Sequence, residues 1–178
     1  PCQDDNQKSP TLSNDISIGR NLVAIDPLGV VAHRTSVHGS VSQRGGGGGT
    51  TCGRSPGIFH ALNSPIYSDY EDNSVGGSLS ISGLRSCWLG TLRNHVRHRF
   101  TLHDDHLADP DAIEVGTNVI GGNLVCTGNS KVWDTNDVTG GKLYPRQFDP
   151  NTVRGRREGQ CVRSSALTRG GPTGRHPF

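Results

Sequence analysis

At 178 residues the chain has room for one domain. Only 31% is hydrophobic and 5% aromatic, against 25 Gly and 10 Pro, which excludes a thick conventional core. The formal charge of +2 carries no nucleic-acid footprint, and no apolar run approaches the ~20 residues of a membrane span.

The N-terminal stretch "PCQDDNQKSP" lacks the basic-then-apolar pattern of a secretion signal, and residues 1–15 are expected to be a flexible segment. The sequence holds no Met, which a trimmed or processed chain would explain.

A repeat starts at Ile16. "NVIGGNLVCTGNSKVW" (118–133) aligns without a gap on "NSVGGSLSISGLRSCW" (73–88), sharing Asn, Gly, Gly, Leu, Gly and Trp. Shorter echoes begin at Ile16, Thr35, Asn94 and Asn151. Steps near 20 residues mark a stacked-repeat fold. Within each unit the apolar residues fall at even spacing. Ile18, Val37, Val75, Val96, Ile120 and Val153 form one set, and Leu22, Val41, Leu79, Phe100 and Leu124 another. A period of two means strand, and the central Gly would cost a helix about 1 kcal/mol. The expectation is an all-β fold: a right-handed, single-stranded parallel β-helix of about six coils over 16–162, spaced roughly 4.8 Å apart. Leu79, Phe100 and Leu124 should then share one column.

The 38-residue step holds "QRGGGGGTTCGRSPG" (43–57), read as a flexible loop or a degraded coil that overlaps a loop insertion spanning 44–72. No Lys-Ser/Thr follows its Gly run, so it is not a phosphate loop. Trp88 and Trp133 occupy equivalent repeat positions. They are candidates for a sugar-stacking strip, or else pack to close turns.

"RNHVRHRF" (93–100) reads as one basic strand with Arg93, His95, Arg97 and Arg99 facing out. Arg97 and Arg99 could meet an acidic polysaccharide; a solvated face is the plainer reading. "HDDHLADPDAIE" (103–114) is the densest polar cluster. Asp104, Asp105, Asp109 and Asp111 are its candidate metal carboxylates, with calcium the fitting cation, against a turn whose Asp side chains bond the local backbone. Nothing in the sequence requires a cofactor, and no residue reads as catalytic.

Of five cysteines, four sit at two matched intervals of 35 residues. These invite Cys52–Cys87 and Cys126–Cys161 bridges in an oxidising compartment, although four cysteines allow three pairings and each could be a small buried residue. The last repeat places Arg157 and Gly159 at ladder positions, as a polar cap would. The tail 163–178 has no periodicity and is expected to be disordered.

With "NSVGGSLSISGLRSCWLG", "DPDAIEVGTNVIGGNLVCTGN" and "NTVRGRREGQC" in view, the chain resembles β-helix repeat proteins of high-GC bacteria, a Gly-rich, secreted or surface group that is largely uncharacterised. The resemblance covers about 35–162; "KLYPRQFD" has no counterpart in it. It implies a right-handed β-helix and export, and it transfers no catalytic residue. The expected function is a non-enzymatic extracellular or cell-surface domain with a structural, adhesive or glycan-binding role. Its partner would be a polysaccharide or other cell-surface polymer. The alternatives are a polysaccharide lyase or hydrolase, and a scaffold that self-associates end to end.

Overall fold

The computed structural model describes residues 15–53, 56–109, 113–134 and 151–162. The expected N-terminal segment up to residue 14, Asp111, "KLYPRQFD" and the tail 163–178 lie outside them.

The fold is all-β with parallel sheets. Sheet A contains Ser17–Ile18, Ser36–Val37, Ser74–Val75, His95–Val96, Val119–Ile120 and Thr152–Val153. Sheet B contains Leu22–Ile25, Val41–Arg44, Leu79–Ser82, Phe100–His103, Leu124–Thr127 and Arg157–Gly159. Sheet C contains Val31–His33, Tyr67–Glu71, Trp88–Leu92, Ile113–Gly116 and Val132–Asp134. In each sheet the strands lie in chain order, and the chain passes from A to B to C before returning to A. Arg85–Ser86 and His106–Leu107 form an extra parallel pair between sheets B and C.

Phe100 lies in register with Leu79 on one side and Leu124 on the other, so the expected column exists. Val37, Val75, Val96 and Ile120 form the matching column of sheet A. Ala32, Tyr70, Leu89, Ile113 and Val115 of sheet C complete the interior cluster. This narrow core is filled by one or two apolar residues per strand, which is how so apolar-poor a chain buries enough surface. Gln43 takes an inward place beside Ile81. Its amide donates to Ser68 Oγ at 3.1 Å and its carbonyl accepts from the Tyr70 hydroxyl at 2.8 Å, so the polar intruder is satisfied.

A second column is polar. Asn73, Asn94, Asn118 and Asn151 are buried where the chain enters sheet A. The Asn73 side-chain oxygen accepts from the Thr35 N–H at 2.8 Å, and each later one accepts from the backbone N–H and the amide of the Asn before it. The distances are 3.1 and 2.9 Å for Asn73 on Asn94, 2.9 and 3.0 Å for Asn94 on Asn118, and 2.9 Å twice for Asn118 on Asn151. The remaining amide proton of each goes to a sheet C carbonyl: Ala32, Tyr70, Thr91 and Val115 in turn.

The 38-residue step adds no strand to sheet A, because Val37 pairs directly with Val75. The span read as an insertion carries a short helix, Gly57–Ala61, and then a full strand of sheet C, Tyr67–Glu71. Both expected disulfides are present, Cys52–Cys87 and Cys126–Cys161. The first ties the long connection to the strand Trp88–Leu92. The second anchors the final turn to the core column through Cys126.

Candidate functional site

Three corners join the sheets, and each treats charge differently. Between sheets C and A, the chain turns through a left-handed residue at Arg34, Asp72, Arg93 and Thr117, with φ of 49°, 55°, 55° and 56°. Here charges on neighbouring rungs pair. Arg34 Nε donates to Asp15 Oδ1 at 3.0 Å, and Arg93 donates to Asp72 Oδ1 at 2.8 Å and Glu71 Oε2 at 2.9 Å. Between sheets B and C, Arg85 donates to Asp104 Oδ2 at 2.9 Å, and His106 Nε2 lies 2.9 Å from Asp104 Oδ1. Arg85 and His106 together hold the Asp104 carboxyl below its usual range.

The corner between sheets A and B is unlike the other two. Its backbone forms a ladder: Gly39 donates to Arg20, Gly77 to Gly39, His98 to Gly77, Gly122 to His98 and Gly155 to Gly122. Arg20, Arg97, Arg99, Arg154 and Arg156 are exposed along it, together with His38 and His98. No Asp or Glu occurs in 19–21, 38–40, 76–78, 97–99, 121–123 or 154–156. None of the five arginines forms an ion pair with a described residue. Between the Arg97–Arg99 rung and the Arg154–Arg156 rung lies Gly121–Gly122. A Cβ on Gly121 would come within 2.1 Å of the Arg97 carbonyl oxygen, so close stacking requires Gly there. The outcome is a rung with no charged residue of its own, reached by the Glu158 carboxylate, which accepts from Asn123 Nδ2 at 2.8 Å, and flanked by two arginine-bearing rungs whose backbones are two rung spacings, about 10 Å, apart.

The outward face of sheet C is buried and polar. His33 Nε2 is 3.0 Å from Asp69 Oδ2, and the ligand-type atoms of His33, Asp69 and Glu71 all lie within 4.8 Å of one another. All three residues are buried. Burial, then the charges of Asp69 and Glu71, push the Tyr67 hydroxyl well above its ordinary value. Trp88 packs beside Tyr67 with ring centroids 6.1 Å apart. Its indole lies across Gly90, where a Cβ would meet Trp88 Cη2 at 2.3 Å and Asp69 Oδ1 at 2.4 Å.

Several sequence expectations need correction. Trp88 is 1% exposed, so its ring is not presented to a sugar; it packs with Phe59, Ile66 and Tyr67. Trp133 pairs through Glu114 with Gly90 rather than Trp88, so the two tryptophans do not share a column. Arg93–Phe100 is not one strand. His95–Val96 belongs to sheet A and Phe100 to sheet B, with a bend at Arg97 and His98 between them. Arg97 and Arg99 are exposed as expected, but on a corner, while Arg93 lies at the corner between sheets C and A. Asp104, Asp105 and Asp109 do not converge. Asp104 is half-exposed, whereas Asp105 is buried and accepts from the Leu84 N–H at 2.9 Å. Burial pushes the Asp105 carboxyl up to about 6. Among the described residues, the one group with metal-ligand spacing is His33, Asp69 and Glu71, which sequence reading did not single out. Its signal was faint, since "VAH" and "YSDYE" carry no Gly corner and stand 36 residues apart at His33 and Asp69.

No protein-family model, curated protein or solved structure matches the chain. Among the described residues, no helix is long and apolar enough to cross a membrane.

Proposed function

We propose that the chain is a right-handed parallel β-helix domain that works outside the cytoplasm as a non-enzymatic binding or adhesive element. Its ligand is an acidic polysaccharide lying along the corner between sheets A and B. The observation that carries this reading is the set of five exposed arginines at that corner, none of which forms an ion pair with a described residue. Elsewhere Arg34, Arg85 and Arg93 are consumed by carboxylates. A row of guanidinium groups not held by carboxylates presents a field and a set of forked donors that fit repeated carboxylates or sulfates. The row runs along the stacking direction, so a long ligand meets several rungs at once. Two disulfides fit an oxidising compartment.

The test is affinity electrophoresis of the chain in gels containing polygalacturonate, a sulfated glycan or neutral dextran. Retardation by the acidic gels alone supports the reading, as does its loss in Arg97→Gln/Arg99→Gln/Arg154→Gln/Arg156→Gln. Equal retardation in dextran, or an unchanged fourfold variant, overturns it. So does stronger retention by duplex DNA than by either glycan, which would make the corner a nucleic-acid surface.

A second reading, end-to-end self-association, draws on Ile16, Val23, Ile25 and Leu28, which are exposed at the first rung. Sedimentation that shifts with concentration and reverts in Val23→Ser/Ile25→Ser would favour it; a constant value counts against it.

A further inference from the structure

We propose that His33, Asp69 and Glu71 bind one divalent first-row transition ion, with zinc as its natural probe. His33 comes from the strand Val31–His33, and Asp69 and Glu71 from its parallel neighbour Tyr67–Glu71. A period of two places Asp69 and Glu71 on the same outward face as His33. The three residues are 3%, 6% and 3% exposed, and their ligand atoms lie within 4.8 Å of one another. Two ligands about 2.1 Å from tetrahedral zinc stand about 3.4 Å apart. His33 Nε2 and Asp69 Oδ2, at 3.0 Å, need to open by only a few tenths of an ångström.

A separate observation points to a ligand. Asp69 Oδ1 is buried and accepts no hydrogen bond. A buried carboxylate oxygen without a donor is costly, and a bound ion is one of the few things that accounts for it. Arg93, donating to Glu71 Oε2 at 2.9 Å, fixes the direction of that side chain, as partners of metal ligands do. One imidazole with two carboxylates suits zinc, manganese or cobalt better than calcium, which takes about six to eight oxygens. On binding, the Nε2 proton that His33 donates to Asp69 Oδ2 leaves Nε2, passing through solvent to Nδ1 or to water, and the freed Nε2 lone pair and Asp69 Oδ2 both turn to the ion. The ion would staple two neighbouring strands of sheet C, Val31–His33 and Tyr67–Glu71, between which the chain runs through the long connection (45–66). This site is independent of the arginine corner.

The experiment uses the full chain dialysed against a chelator, then titrated with Zn²⁺ and Co²⁺. One equivalent should bind, Co²⁺ should develop visible ligand-field bands, and affinity should fall at least tenfold in His33→Gln and in Asp69→Asn. His103→Gln, an exposed histidine on sheet B, should bind as wild type. No uptake by wild type overturns the proposal, as does uptake unchanged in both site variants or reduced equally in His103→Gln. If circular dichroism shows both site variants unfolded, zinc-edge X-ray absorption on the loaded wild type decides. One imidazole with oxygen ligands supports the site; sulfur or several imidazoles overturns it.

Discussion

The side-chain oxygen of Asn118 accepts two hydrogen bonds from Asn94, one from its backbone N–H at 2.9 Å and one from its amide at 3.0 Å. The two residues are 24 apart in sequence and one rung apart in space. Asn94 repeats the arrangement towards Asn73 and also donates to the Tyr70 carbonyl. Its side chain therefore satisfies buried groups on three rungs. Asn94→Ala should cost about 2–4 kcal/mol, because it strips partners from buried donors and acceptors. Asn94→Asp should do no better, since a carboxylate cannot donate to Tyr70 or Asn118. Urea denaturation followed by circular dichroism measures both, and a loss under about 0.5 kcal/mol would remove the ladder from the account of stability.

Asp105 belongs to a similar row with the opposite sign of effect. Asn129 Oδ1 accepts from the Asp105 N–H at 3.0 Å, as Asp105 Oδ1 accepts from Leu84. Asp105 Oδ2 is buried without a partner. Because burial raises its carboxyl to about 6, folding favours the protonated form. The stability from this group is fully present below the ordinary carboxyl range and is lost as pH rises through about 6. Asp105→Asn, which installs the residue already used at Asn129, should stabilise the chain by about 1–3 kcal/mol at pH 7.5. The gain should shrink towards pH 4. Melting temperatures of both proteins across that range provide the check, and a difference independent of pH would exclude Asp105 titration as its source.

These residues show what sequence could and could not reveal. The columns through Val96 and Phe100 were legible because strands alternate inward and outward with a fixed period. The Asn row began the repeats at Asn73, Asn94, Asn118 and Asn151, so its positions were visible, but its hydrogen bonds exist only once rungs stack. Sheet C was hidden. Trp88–Leu92 is buried on both faces, so it shows no alternation to read. The basic run Arg93–Phe100 misled for a related reason. Alternation continues in the letters through Arg97 and Arg99, while the backbone has turned a corner that two other rungs mark with glycine pairs, Gly76–Gly77 and Gly121–Gly122. The metal-type cluster joins His33 to Asp69, and only the parallel pairing of their strands brings them together.

The Cys52–Cys87 bridge fastens the long connection over the buried face of sheet C, next to Trp88. A closed loop of this length is worth about 3–4 kcal/mol in the chain-entropy account. Cys52→Ala/Cys87→Ala should lower stability by that order and expose the connection to protease. Limited proteolysis with mass spectrometry should place the first cuts within 45–66. Cleavage no faster than in wild type would mean that Phe59 and Ile66 packing alone holds the segment down.

Two arginine substitutions should separate stability from binding. Arg93 has a side chain 20% exposed and pairs with Glu71, whose side chain is 3% exposed. Arg93→Gln leaves a buried carboxylate without that partner and should cost about 3 kcal/mol, while the corner between sheets A and B keeps every charge. Polysaccharide affinity at a temperature where the variant is folded should stay within twofold of wild type. Arg97→Gln/Arg99→Gln removes two exposed charges with no ion pair to break, so its melting temperature should match wild type. Its affinity for polygalacturonate should drop at least fivefold at 50 mM salt, and the gap should close as salt rises. The reason is range: charges on alternate rungs lie about 10 Å apart, close to the screening length at 0.1 M, so added salt uncouples them first. If Arg93→Gln weakened binding as much as the double variant did, the ligand would have to follow a different corner.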